Sequence, residues 1–221
     1  MLLYTNGCSF TYGDDLKTPN IHAWPYVLAQ KLNMSLKNDA ISGSSNCRIY
    51  RKTLNFLFNN ESIKEQLFII IGWSSNLRIE YYNNKPISYA WTSVNYLPLL
   101  KTYRDFNETK NTVFLNKYIE SLFYYNPYIL KNNLFNILNI KNIKYLFFNV
   151  FNEPFLYKEK KYIYDNYNKN QYRDYVFYDF IYRNKYPIGL TLHPLEEGHE
   201  AWANILYDYI IKNKLLEKDI T

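Results

Sequence analysis

The run Leu67-Phe68-Ile69-Ile70-Ile71 constrains this chain more than any other segment. It has no polar face, so a strand built from it must be covered on both sides, as in parallel sheets whose crossover helices pack on each face. The neighbouring sequence repeats the theme. Leu2–Asn6 reads as a first strand, Ser35–Ala40 as a second and Tyr145–Val150 as a fourth. Helical patterns lie between and after them. Ala23–Leu32 carries Pro25 near its first turn, where a missing N–H costs nothing. Asn46–Phe58 has apolar residues at Ile49, Leu54, Phe56, Leu57 and Phe58. Asn111–Asn139 is helical with an interruption at Pro127. Glu196–Lys212 sets Trp202, Ile205, Leu206 and Ile210 on one face. The order predicts an α/β protein, a three-layer α/β/α sandwich on a mostly parallel sheet. Residues 76–105 read as an insertion with a short hairpin or loops. Residues 155–186 read as a second insertion, with one helix near 171–182. With 221 residues, no repeat and no low-complexity linker, a single domain over 1–221 is expected.

Composition excludes several classes. Two cysteines, Cys8 and Cys47, are too few for a disulfide scaffold and lack metal-ligand spacing. No apolar run approaches the ~20 residues that span a bilayer. The start, Met1-Leu2-Leu3-Tyr4-Thr5-Asn6-Gly7, has no basic segment and soon meets a polar turn, so a cytoplasmic protein without a signal peptide is expected. The net charge of +6 invites a nucleic-acid reading, but Lys and Arg are scattered among Asp, Glu and Asn. The 19% aromatic content accompanies abundant Ile, Lys and Asn, residues that share A/T-rich codons. Genome composition accounts for it more simply than a base-stacking surface.

Ligands of an open parallel sheet bind beyond the carboxyl ends of its strands. The first predicted strand is followed by Gly7-Cys8-Ser9-Phe10-Thr11-Tyr12-Gly13-Asp14-Asp15. The second leads to Ser42-Gly43-Ser44-Ser45-Asn46, and the third to Gly72-Trp73-Ser74-Ser75-Asn76. Small hydrogen-bonding residues with glycine recur at all three places, and glycine lets backbone N–H groups approach a ligand closely.

These segments resemble the blocks of the SGNH hydrolase superfamily, also called GDSL esterases/lipases. Gly7-Cys8-Ser9-Phe10-Thr11-Tyr12-Gly13 is similar to the first block, with Ser9 as nucleophile. Gly43 matches the second-block glycine, Gly72-Trp73-Ser74-Ser75 falls at the third block, and Thr191-Leu192-His193-Pro194-Leu195-Glu196-Glu197-Gly198-His199 resembles the last. The blocks occur in family order across nearly the whole chain, and their wording is similar to a subgroup common in phage and environmental bacteria. The resemblance implies a flavodoxin-like SGNH fold and a serine esterase acting on small esters, carbohydrate O-acetyl esters among them. It implies an acyl-Ser9 intermediate, His193 as base, and an oxyanion hole from Ser9, Gly43 and Ser74 or Asn76. Trp73 and Arg78 would shape the substrate pocket. No metal or organic cofactor is implied. The partner implied is a small-molecule or glycan ester; the scattered charges argue against nucleic acid and the lack of a long apolar run against a membrane, and a phage-encoded chain would work in the host cytoplasm.

The chemistry supports these roles. Serine alone is a weak nucleophile and needs a base within hydrogen-bond reach. Of His22, His193 and His199, only His193 sits in a loop that leads into a helix at the active edge; His199 reads as packing and His22 as surface. Two positions depart from the family pattern. Leu190 stands three residues before His193, where an aspartate is usual, and Ser74 stands for an asparagine. A backbone carbonyl, Glu196 or Glu197 are the alternatives for orienting His193. The departures also motivate a second expectation, a catalytically impaired, carbohydrate-binding relative.

Overall fold

The computed structural model describes residues 1–76, 78–83, 90–95, 128–152 and 169–217, with the backbone alone for 79–83 and 90–95. Four strands form one parallel sheet in the order β2 (Ser35–Asn38), β1 (Leu2–Asn6), β3 (Leu67–Trp73), β6 (Lys144–Asn149). In register, Leu3 lies beside Phe68 and Asn6 beside Ile71, while Gly72 lies beside Phe148. All four carboxyl ends therefore share one edge.

The run that defines β3 is buried at every position, and its alternation divides the protein into layers. Phe68 and Ile70 join Leu3, Leu146 and Phe148 in a core covered by α3 (Trp24–Lys31), α6 (Phe177–Arg183) and α7 (Glu196–Lys212). Leu67, Ile69, Ile71 and Trp73 join Tyr4, Tyr145 and Phe147 on the opposite face. There they meet Ile49 and Leu57 of α4 (Asn46–Asn59), and Leu134 and Leu138 of α5 (128–140). Consecutive strand residues point to opposite faces, so a continuous apolar run feeds both cores. The result is the expected three-layer α/β/α sandwich.

Several boundaries differ from expectation. Strand β2 ends at Asn38, where the Asn38 side chain accepts from Thr5 Oγ1 at 3.0 Å and from Ala40 N at 3.1 Å, turning the chain out of the ladder. The helix expected near 171–182 begins at Phe177, because Gln171 instead makes a parallel bridge beside Phe147. The Phe147 amide donates to Asn170 O and the Tyr172 amide to Phe147 O, both at 2.9 Å, which lengthens the sheet beyond β6. The first insertion contains a hairpin, β4 (Arg78–Asn83) antiparallel to β5 (Ala90–Asn95). The part of the long helical region at 111–127, and 153–168 of the second insertion, lie outside the described residues. Among the described residues no helix is long and apolar enough to cross a membrane.

Candidate active site

Strand β1 delivers Ser9 to the carboxyl edge. Asn6, wholly buried, holds the strand's end: its Oδ1 accepts from Gly7 N at 2.9 Å, and its Nδ2 donates to Ile49 O at 3.1 Å. The chain then turns into α1 (Ser9–Tyr12), a single helical turn whose first residue is Ser9. Cys8 packs in the core, Phe10 is buried, and Ser9 itself is nearly enclosed.

The histidine loop lies against this turn. The His193 ring centroid is 5.0 Å from that of Phe10, the residue next to Ser9. His193 Nδ1 is 2.8 Å from Thr191 Oγ1. Thr191 Oγ1 donates to Asp15 Oδ2 at 2.8 Å, and the backbone N–H groups of Thr191 and His193 donate to the same oxygen at 2.9 and 3.2 Å. That oxygen is 3.7 Å from His193 Nδ1, with the two side chains 14% and 15% exposed. Burial alone would raise the Asp15 carboxyl. The Thr191 hydroxyl, the His193 and Thr191 amides and the His193 charge outweigh it and hold the carboxyl below its ordinary value.

The second and third loops are tied together by Asn46. Its Oδ1 accepts from Ser74 N at 2.8 Å, and its Nδ2 donates to Ser74 O at 3.1 Å and to Asn76 Oδ1 at 3.0 Å. Ser74 is buried, and its hydroxyl accepts from Arg78 Nη1 at 3.1 Å. The Arg78 guanidinium lies 5.7 Å from the Phe151 ring, which meets Phe10 edge-on at 5.2 Å. Arg78, Phe151, Phe10 and His193 thus form a continuous row. Gly43 holds a left-handed backbone (φ 74), and a Cβ there would meet nothing within 4 Å. Its backbone faces open space in a conformation that suits glycine.

A sequence model described as "Family of unknown function (DUF6071)" matches residues 14–220. The chain belongs to that family. No curated protein matches this DUF6071 chain. Among solved structures it is similar to the psychrotrophic esterase EstA from Pseudoalteromonas sp., inhibited by monoethylphosphonate. The TM-score is 0.57 at 14% identity, over 96% of this chain and 97% of that one. A carbohydrate esterase described as having divergent catalytic and non-catalytic binding functions gives 0.52 at 13% identity, over 96% of this chain and 64% of its own. A two-domain esterase active on acetylated mannans, crystallised with mannopentaose, gives 0.52 at 14%, over 97% and 50%. The chain therefore spans only part of those last two proteins. At such identities the likeness is one of fold alone, the α/β fold of these esterases.

Within this DUF6071 chain, some residues singled out from sequence take other places. Trp73, expected at a substrate pocket, is 2% exposed and meets Phe147 edge-on at 5.5 Å inside the core. It ends a strand buried along its whole length, so its ring is spent on packing. The partner of His193 Nδ1 is the Thr191 hydroxyl, next to Asp15, rather than a backbone carbonyl, Glu196 or Glu197. Glu196 and Glu197 occupy the first turn of α7. Leu190, at the usual aspartate position, is fully exposed. Sequence reasoning missed Asp15, Thr191, Asn46 and Phe10. Thr191 stood two residues from His193 in the same loop, near enough for its hydroxyl to reach the ring. Asp15 was separated from His193 by nearly the whole chain, and only the fold joins them. Among the described residues no group of three or more His, Cys, Asp or Glu could hold a metal ion.

Proposed function

We propose that this protein hydrolyses small esters, carbohydrate O-acetyl esters being the preferred class, through an acyl-Ser9 intermediate. The observation that carries the reading is the docking of the His193 ring on Phe10, immediately beside Ser9, at the sheet's carboxyl edge. Ser9 Oγ would attack the ester carbonyl while His193 Nε2 takes its proton. Collapse of the tetrahedral intermediate breaks the bond to the alcohol, which leaves with the proton held by His193. Water then attacks the acyl-serine, again deprotonated by His193, and the acid departs as Ser9 regains its proton. Backbone N–H groups of Ser9 and Gly43, with Ser74, would receive the oxyanion. Because Asn76 Oδ1 accepts from Asn46, its amide has its nitrogen to offer the same charge. Arg78, beside Ser74 and Phe151, is the pocket residue that would meet the alcohol portion. The likeness in fold to an esterase active on acetylated mannans supports the substrate class.

The test is intact-mass spectrometry after incubation with a fluorophosphonate, together with turnover of a short-chain aryl ester. The wild type should carry a single adduct, while Ser9→Ala should carry none and lose turnover with an unchanged circular dichroism spectrum. His193→Ala should label far more slowly. Unchanged turnover in folded Ser9→Ala sinks the assignment of Ser9. Leu190 and Ser74, standing where the reaction usually has an aspartate and an asparagine, motivate one competing reading, a glycan-binding protein without catalysis. It requires no adduct on folded wild type and retention of acetylated glycans on an array.

A further inference from the structure

We propose that Asp15, acting through the hydroxyl of Thr191, is the positioning carboxylate that fixes His193 as a general base, in place of the acid missing at Leu190. This deepens the esterase reading and rests on it for its catalytic consequence. Its structural content can be tested separately.

The count of hydrogens fixes the ring's tautomer. The Thr191 hydroxyl has one hydrogen to donate and lone pairs to accept with. It lies 2.8 Å from Asp15 Oδ2 and 2.8 Å from His193 Nδ1. An ionised carboxylate only accepts, so the hydroxyl hydrogen points to Asp15. The lone pair left facing His193 can then only receive a hydrogen. Nδ1 must therefore carry one, and in the neutral ring Nε2 is bare. That is the tautomer in which Nε2 can take the serine proton. The chain Asp15 carboxylate, Thr191 hydroxyl, His193 Nδ1–H conveys the order that a direct aspartate would impose.

The contact is built into the fold. Asp15 Oδ2 also accepts the Thr191 and His193 amides, so the same oxygen holds the loop's backbone and its ring. Between those residues Leu192 takes a left-handed conformation (φ 65), bending the loop around the carboxylate. Gly189 N donates to His193 O at 2.8 Å, closing the loop. A Cβ on Gly189 would fall 2.4 Å from Asp15 Cβ, so the glycine admits the aspartate to this position. Leu190, by contrast, is fully exposed.

Two variants separate positioning from structural support. Thr191→Val removes the hydroxyl and keeps both backbone bonds to Asp15, whereas Thr191→Ser keeps the hydroxyl. Ring ¹⁵N–¹H correlation spectra of the wild type, recorded where the imidazole is neutral, should show His193 with its hydrogen on Nδ1. Thr191→Ser should preserve that pattern, and Thr191→Val and Asp15→Ala should lose it. Fluorophosphonate labelling of Ser9 and kcat for the aryl ester should fall on the order of 10²-fold in Thr191→Val, with KM little changed, and stay near wild type in Thr191→Ser. A wild-type ring with its hydrogen on Nε2 overturns the proposal, as does wild-type kcat in folded Thr191→Val. Absence of any Ser9 adduct on wild type, with the Nδ1–H pattern intact, overturns the esterase reading and leaves the positioning network standing.

Discussion

Two histidines near one another in this protein have opposite physical chemistry. His193 is partly open and joined to a carboxylate through a hydroxyl. His199 is completely buried and its Nδ1 accepts the Trp24 amide at 3.2 Å. The ring hydrogen of His199 is therefore on Nε2, and a second proton could enter only at Nδ1, by breaking that bond in an apolar setting. Burial first, and the charge of His193 second, push its pKa from 6.5 down to about 3. The linkage has a definite sign. Above the ordinary value both folded and unfolded chains hold a neutral ring, and the full stability is present. As the pH falls below it, the unfolded chain takes a proton that the folded chain refuses, and stability drops by roughly 1.4 kcal/mol per pH unit. Urea unfolding between about pH 7.5 and about pH 5 should show this decline in the wild type and a shallower one in His199→Gln. Equal slopes in the two proteins would remove His199 as the source.

The elements of the sheet were legible because their reasons are local. An unbroken apolar run has no place but a strand covered on both sides, and Leu67–Trp73 is that strand. Its loop glycines and serines were equally plain, and they lead from the same edge. What could not be read was tertiary pairing between loops. Nothing near Asp15 announces His193, and nothing near Asn46 announces Ser74, because those hydrogen bonds exist only once parallel strands align their ends. Trp73 shows the same limit in reverse: adjacency to a loop suggested a pocket, while strand alternation sent its ring into the core. Helix α4 illustrates how an element carries a site. The Ser45 side chain caps it by accepting from Arg48 N at 3.2 Å, and Asn46 in its first turn clasps Ser74. Loss of the cap in Ser45→Ala should cost about 1 kcal/mol and leave turnover close to wild type. Asn46→Ala strips partners from the buried Ser74 backbone and should cost about 1–3 kcal/mol with a larger fall in turnover. Urea melts and aryl-ester kinetics on the pair check the ordering, and a greater loss of turnover in Ser45→Ala would contradict this division of labour.

At the scale of the molecule, two cores lie on opposite faces of one sheet, and each strand of its centre contributes to both. Phe68 and Ile70 face one set of helices while Ile69 and Ile71 face the other, so neither core can dissolve without exposing alternate residues of the same strand. The shared strands join the two faces, so a single cooperative transition is expected. Leu206→Ala empties one core and Leu134→Ala the other, and each side chain is fully buried. Each should lower stability by about 2–5 kcal/mol. If the cores are coupled, each substitution shifts a single urea transition, seen at the same midpoint by tryptophan fluorescence and by far-ultraviolet circular dichroism. Trp24 and Trp202 report on one face and Trp73 on the other, so fluorescence is sensitive to both. A variant that splits the transition, with fluorescence moving ahead of the circular dichroism, would show that one helical layer can peel away while the sheet persists. The site would then inherit that independence, since His193 leads into α7 on one face and Asn46 opens α4 on the other.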